Sequence, residues 1–264
     1  MTRRPAPSRG DAVRFERVSV ERGGRTVLHD VDASFAAARV TGLFGPSGSG
    51  KSTLIRAIAG VQSRVRGSIT VLGERPGSVA VRRELGYMTQ SPSVYEDLTV
   101  AENVRYFAAI RGGEIGDVLE RVQLSSQADQ LVRSLSGGQR TRVSLATALV
   151  GWSAASDGGA SVGWSAASDG GASVGRPRLL LLDEPTVGLD PLLRRDLWHL
   201  FGELAAAGSA LLVSSHVLDE ARHCDEVILL REGRIVAQLS PAELCARTGT
   251  DDLDEAFIRL IEPR

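Results

Sequence analysis

Near the start of the chain apolar residues fall at alternate positions, Val13 and Phe15, then Val18 and Val20, and Val27, Leu28 and Val31 follow a Gly23-Gly24 pair. That period belongs to half-buried strands, and the glycine pair to the turn between them. A shorter apolar run, Val40 to Phe44, leads into Gly45-Pro46-Ser47-Gly48-Ser49-Gly50-Lys51-Ser52-Thr53. Beyond it Leu54, Ile55, Ala57 and Ile58 take up helical spacing as far as Gly60. The order is strand, glycine-rich loop, helix. From about 91 to 150 the pattern is helical, with Val100 to Val104 opening one helix and Gly137-Gly138 another. Leu179 to Leu182 reads as a fully buried strand, as do Ala210 to Val213 and Val227 to Leu230, with helical segments between them. Alternating strand and helix predicts an α/β fold with a parallel sheet covered on both faces. The strand-poor 91–150 block is then a helical subdomain inserted into it. At the end Leu253, Ala256, Phe257, Leu260 and Ile261 share one face, which predicts a packed terminal helix.

Composition narrows the class. The 264 residues are 42% hydrophobic and 24% charged, an ordinary globular balance for one domain, expected over 11–264 behind a polar basic tail at 1–10. Thirty-one basic residues stand against 32 acidic ones, so no global field points to nucleic acid or an anionic membrane. Two cysteines, Cys224 and Cys245, make no disulfide framework and suit a reducing compartment. No stretch approaches 18 uninterrupted apolar residues, so no membrane span is expected, and the expected compartment is the cytosol.

Lys51 is the only lysine in the sequence; every other basic side chain is arginine. Arginine replaces lysine freely on a surface, but not where a compact point charge must fit a narrow space. The lone lysine is therefore a functional candidate in its own right.

A perfect tandem repeat interrupts the pattern. Gly151 to Val162 recurs unchanged as Gly163 to Val174. Two copies rich in Gly, Ser, Ala and Asp are too few and too small for a solenoid and read as a flexible loop. Trp152 and Trp164 would be its anchors if it had a binding role; duplication of a short coding segment without function is the alternative preferred here.

The chemistry begins at Gly45-x4-Gly50-Lys51-Ser52, the phosphate-binding loop pattern. Glycines let backbone N–H groups turn inward around phosphate oxygens, and the helix that starts there adds its positive end. Lys51 reaches the β- and γ-phosphates, and the Ser52 hydroxyl is placed to ligate Mg²⁺. Such a nucleoside triphosphatase also needs a carboxylate for the metal and a group that positions water. The buried strand ending in Asp183-Glu184 supplies both, Asp183 for Mg²⁺ and Glu184 for the water.

Leu135-Ser136-Gly137-Gly138-Gln139-Arg140 resembles the signature motif of ATP-binding cassette (ABC) ATPases. The other family motifs resemble it in family order: Gln90 as the Q-loop glutamine, Gly188-Leu189-Asp190 as the D-loop, and His216 after Ser214-Ser215 as the switch histidine. The likeness runs from about residue 12 to the C-terminus apart from the repeat. From Gln139 to Asp183 is 44 residues; without the two 12-residue copies it is 20, close to the family spacing. Family members carry an aromatic residue before the first glycine turn to stack on adenine; Arg22 stands there, which leaves the adenine contact open.

The resemblance implies a P-loop NTPase (RecA-like) core with an N-terminal antiparallel β subdomain and an inserted helical subdomain. It implies ATP and Mg²⁺ as cofactors, Gln90 and Asp183 beside Ser52 at the metal, and Glu184, His216 and Gln90 as catalytic residues. Nucleotide would lie on Gly45, Pro46, Ser47, Gly48, Ser49, Gly50, Lys51, Ser52 and Thr53. Ser136, Gly137, Gly138, Gln139 and Asp190 would meet the nucleotide held by a second subunit, a copy or a paralogue. Tyr87 to Gln90, Tyr95 to Asn103, His216 to Ala221 and Asp252 to Phe257 resemble drug- and antibiotic-resistance exporters of the daunorubicin type. A separate membrane permease is then the expected partner, with the cassette on the cytoplasmic face of the membrane. The alternatives are a soluble ABC ATPase acting on ribosomes or DNA and a non-hydrolysing regulatory cassette. One intact cassette and near-neutral charge disfavour the first; intact Lys51, Asp183, Glu184 and His216 disfavour the second.

Overall fold

A computed structural model describes residues 10–111, 115, 117–150 and 177–261. Strands β1 (Asp11–Arg22) and β2 (Arg25–Ala36) form an antiparallel hairpin that turns at Gly23-Gly24. The change of phase between Phe15 and Val18 is resolved by a bulge: the register shifts there, and Arg17 sits at φ 47°. One extra residue keeps Val13, Phe15, Val18 and Val20 on one buried face instead of flipping the second pair to solvent. Asp30, also at φ 47°, does the same between Leu28 and Val31 in β2.

Next in the chain come β3 (Val40–Phe44), α1 (Lys51–Ala59), β4 (Val65–Val71), α2 (Val79–Glu84) and β5 (Leu85–Met88). After β5 the described residues are helical or irregular up to β6: α3 (Val100–Arg111), α4 (Val118–Arg121), two short 3₁₀ turns and α5 (Gly137–Leu149). The remainder is β6 (Leu179–Asp183), α6 (Pro191–Ala206), β7 (Ala210–Ser215), β8 (Glu226–Arg231), β9 (Arg234–Leu239), α7 (Pro241–Thr248) and α8 (Leu253–Ile261). β4 joins β1 to make a three-stranded sheet in the order β2-β1-β4, and the other six strands run β5-β6-β7-β3-β8-β9.

The six-stranded sheet is parallel except at its edge, where β9 turns back antiparallel to β8 through Glu232-Gly233. The wholly parallel sheet expected from alternation is corrected at that point. The connection between β7 and β8 is also not an α-helix but a 3₁₀ helix, Leu218–His223. β3, β6 and β7 are buried along their whole length, which is why they read as largely apolar runs without a polar face. In β6 alternate residues face opposite layers. Leu179 and Leu181 pack with α1 and the small sheet, whereas Leu180 and Leu182 pack with α3, α5, α6 and α8. α8 is the packed terminal helix expected: Leu253, Ala256 and Phe257 are buried, and Phe257 meets Phe44 edge-on at 6.5 Å.

The ends of α5 and β6 that flank 151–174 lie at the end of the sheet opposite Asp183. The last carbonyls of α5 are held by the half-buried Arg111 guanidinium, which donates to Thr147 O at 2.5 Å and Val150 O at 2.9 Å. Burial lowers the Arg111 pKa to about 10. The repeat itself and the tail at 1–9 lie outside the described residues.

Candidate functional site

The parallel register aligns the carboxyl ends of neighbouring strands. Met88 pairs with Leu182, Asp183 with Ser214, and Phe44 with Ser215. Gln90, Glu184, His216 and the Gly45–Thr53 loop, each just past its strand, are thereby carried to one end of the sheet, the end at which such sheets bind ligands.

The loop follows from its glycines. Gly45 passes so close to β8 that an added Cβ would lie 2.1 Å from the Leu230 carbonyl oxygen. Gly50, at φ 110°, makes the left-handed step into α1, whose first residue is Lys51. Pro46, Ser47 and Gly48 are exposed, whereas Ser49 and Gly50 are buried beneath them. The Lys51 side chain is only 6% exposed, and Nζ donates to Gly45 O at 2.7 Å and to Pro46 O at 3.3 Å. Burial pulls the Lys51 pKa down, and the charges of Glu184 and Asp183 push it back up. Ser52 follows half-buried and Thr53 buried, in the first turn of α1.

Glu184 is where the separate loops converge. Its Oε2 lies 3.4 Å from Gln90 Nε2 and 3.5 Å from His216 Nδ1, and its Oε1 lies 4.0 Å from Lys51 Nζ. Its backbone is left-handed, φ 55°, a conformation that costs a non-glycine residue about 1–2 kcal/mol. The Ser214 hydroxyl helps hold that turn. It accepts from Glu184 N at 2.9 Å and donates to Asp183 Oδ1 at 2.7 Å.

The second oxygen of Asp183 tests for a cation. Asp183 is 1% exposed, and its Oδ2 has no hydrogen-bond partner. An orphaned carboxylate oxygen this deep carries a large desolvation cost unless something positive meets it. Among the described residues no cluster of three or more His, Cys, Asp or Glu side chains could hold a metal by itself. That donor set suits an ion such as Mg²⁺, which is bound through one or two protein oxygens with phosphates and water as the other ligands.

The remaining candidates gather elsewhere. Ser136 caps α5, accepting from Gln139 N at 3.2 Å, and Gln139 Oε1 accepts from Ser136 N at 2.8 Å, a capping box. Gly137 is exposed beside it, and Gly138 packs on the Gly188 carbonyl, 3.1 Å from where a Cβ would be. Asp190 caps α6 through Leu192 N and Leu193 N. Among the described residues no hydrogen bond or ion pair joins Ser136–Gln139 or Asp190 to the Lys51 loop. Arg22 is exposed at the end of β1, opposite Arg25.

Sequence reasoning missed Ser214. A polar pair, Ser214-Ser215, closing an otherwise apolar strand just before His216 is the signal that could have found it.

A sequence profile described as ABC transporter matches residues 28–154. The Nod factor export ATP-binding protein I of Rhizobium johnstonii is 37% identical over 243 residues, covering 88% of this chain and 70% of that protein. The chain belongs to the ABC transporter ATP-binding family. This ABC cassette is also 39% identical, over 81% of its length, to the probable multidrug ABC transporter ATP-binding protein YbhF of Escherichia coli, of which it spans only 34%. Its fold matches a solved ATP-binding subunit of an ABC transporter with a TM-score of 0.77 at 25% identity, over 95% of this chain and all of that one. The P-loop NTPase architecture expected of an ABC cassette is the one observed.

Proposed function

We propose that this cassette is the ATP-hydrolysing subunit of an exporter of drugs or other hydrophobic compounds, working as a nucleotide-sandwich dimer with a separate membrane permease. The observation that carries the reading is the convergence of Lys51, Gln90 and His216 on Glu184, beside the unpartnered oxygen of Asp183. Phosphates of ATP are held by the N–H groups of the Gly45–Thr53 loop, and Lys51 exchanges its Gly45 and Pro46 carbonyls for phosphate oxygens. Ser52 and Asp183, with Gln90, hold Mg²⁺, which when bound offsets negative charge on the phosphates. Glu184 orients the attacking water and takes its proton. His216 fixes the Glu184 carboxylate from the other side, and Gln90 senses the same group.

Ser136, Gly138 and Asp190 stand apart from the Lys51 loop of their own chain, which supports a role at the site of a second subunit. The export reading is supported by relatives that are named as export and multidrug ATP-binding proteins, and the place on the cytoplasmic face of the membrane is proposed as what a permease-bound cassette would require. Among the described residues no helix is long and apolar enough to cross a membrane.

Phosphate release by the purified chain tests the enzymatic reading, with turnover expected in Mg²⁺ and none in a chelator. Absence of ATP hydrolysis with Mg²⁺ present overturns it. ATP-driven uptake of a hydrophobic dye into everted vesicles that hold the cassette with its membrane permease tests export, and uptake no greater than in vesicles carrying Lys51→Arg overturns it.

A further inference from the structure

The polar groups buried behind the His216 loop have no part in the roles above. Glu220 lies in the 3₁₀ helix Leu218–His223 and is only 3% exposed. A carboxylate at that depth needs partners, and its two oxygens face two different elements. Oε2 accepts from the Ser215 hydroxyl at 2.5 Å, and the same hydroxyl accepts from Val217 N at 3.0 Å. The backbone on both sides of His216 is thus tied to Glu220. Oε1 lies 3.6 Å from Nε of Arg194, an ion pair in which neither atom has a hydrogen bond. Arg194 sits in the first turn of α6 and donates its N–H to Asp190 O at 3.0 Å, so it moves with the start of that helix. Trp198, one turn on, stacks on His223 at 5.2 Å and fastens the other end of the 3₁₀ helix to α6.

We propose that Glu220 is a positioning residue that couples the start of α6 to His216, an inference that rests on the reading of His216 as the partner of Glu184. The contacts are continuous. Gly138 packs on Gly188, Leu189 and Asp190 lead into α6, Arg194 meets Glu220, Glu220 holds Ser215, and His216 faces Glu184. A shift at the start of α6 moves Arg194 against a buried charge, and the Ser215–Val217 bracket hands that shift to the imidazole. The loose 3.6 Å pair leaves room for Arg194 to close into a hydrogen bond when the turn before α6 is pressed.

Steady-state ATP hydrolysis is measured for the full chain carrying Glu220→Gln, Arg194→Met or both, with Ser215→Ala as a milder variant in case Glu220→Gln does not fold. A misplaced catalytic group lowers kcat and leaves KM nearly alone, so a fall of about ten-fold in kcat with KM within about two-fold is expected. The double variant is expected to lose no more than the worse single one, because both cut the same link. In a His216→Ala background, Glu220→Gln is expected to lower the residual rate no further. Wild-type kcat in both Glu220→Gln and Ser215→Ala overturns the proposal, as does a full additional loss in the His216→Ala background. Wild-type turnover of His216→Ala itself overturns the reading beneath it; an inactive His216→Ala with a fully active Glu220→Gln overturns only the inference.

Discussion

Nδ1 of His216 lies 3.5 Å from Oε2 of Glu184. Neither the sequence distance between them nor any helix brings them together; the parallel pairing of β6 with β7 does, with Asp183 opposite Ser214. His216 is half exposed, whereas the Glu184 side chain is 14% exposed and turned by a left-handed backbone. The imidazole meets the more buried carboxylate from the solvent side. Replacing His216 by Ala is therefore expected to lower turnover with ATP affinity within about two-fold of the parent. Titration with a fluorescent ATP analogue, set beside phosphate release, checks both halves.

Lys51→Arg is expected to behave as a loss of function although every other basic residue is arginine. Nζ fits between two loop carbonyls in a space that leaves the side chain 6% exposed, and a planar guanidinium cannot occupy it without moving the loop. ATP affinity is expected to fall by about ten-fold or more, which equilibrium binding would show. Unchanged affinity would refute the assignment of the lone lysine.

Ser136→Ala separates a structural effect from an intersubunit one. The capping box is lost, at a cost of about 0.5–2 kcal/mol in stability. ATP binding by the monomer is expected to stay the same, since the turn makes no polar contact with the Lys51 loop. ATP-dependent dimerisation, followed by light scattering, is expected to weaken.

Stability should depend on pH through His223. Burial, with Arg222 next, lowers its pKa below the usual 6.5, against smaller upward pushes from Glu220 and Asp219 and a downward one from His199. The unfolded chain then takes up the proton first as pH falls below 6.5, so stability is lost from there down through the folded-state pKa. His223→Phe, which keeps a ring against Trp198, is expected to flatten that part of the curve in thermal melts taken between pH 7 and pH 5.

Removing residues 151–174 is expected to leave ATPase activity within a few-fold of the parent and stability equal or slightly higher. The junction lies at the end of the sheet away from Asp183, and closing a loop longer by 24 residues costs only about 1–2 kcal/mol. Thermal midpoint and turnover of no-copy, one-copy and full-length chains decide it. A large activity loss confined to the folded no-copy form would make Trp152 and Trp164 functional anchors.

The parts of the fold written in apolar period were legible beforehand. The bulge between Phe15 and Val18 was not among them; the run read as simple alternation, and only the strand pairing shows the shift of register. β4 carries exposed residues through its middle, and α2 and α7 are only 6 and 8 residues long, too short for a period to be read with any weight. The glycine loop and Asp183-Glu184 were legible because their chemistry is local. Ser214 and Glu220 were not, because their work depends on neighbours that only strand register and the packing of α6 supply.

The most direct test of the account is Glu184→Gln in the full chain with saturating ATP and Mg²⁺. The substitution keeps the shape of the side chain and its reach toward Gln90 and His216, and removes the base together with the charge that faces Lys51. Turnover is expected to fall by about 10²–10⁴-fold while ATP stays bound, and light scattering should show a dimer that does not decay. Hydrolysis at near the parental rate would contradict the placement of Glu184 at the centre of the site.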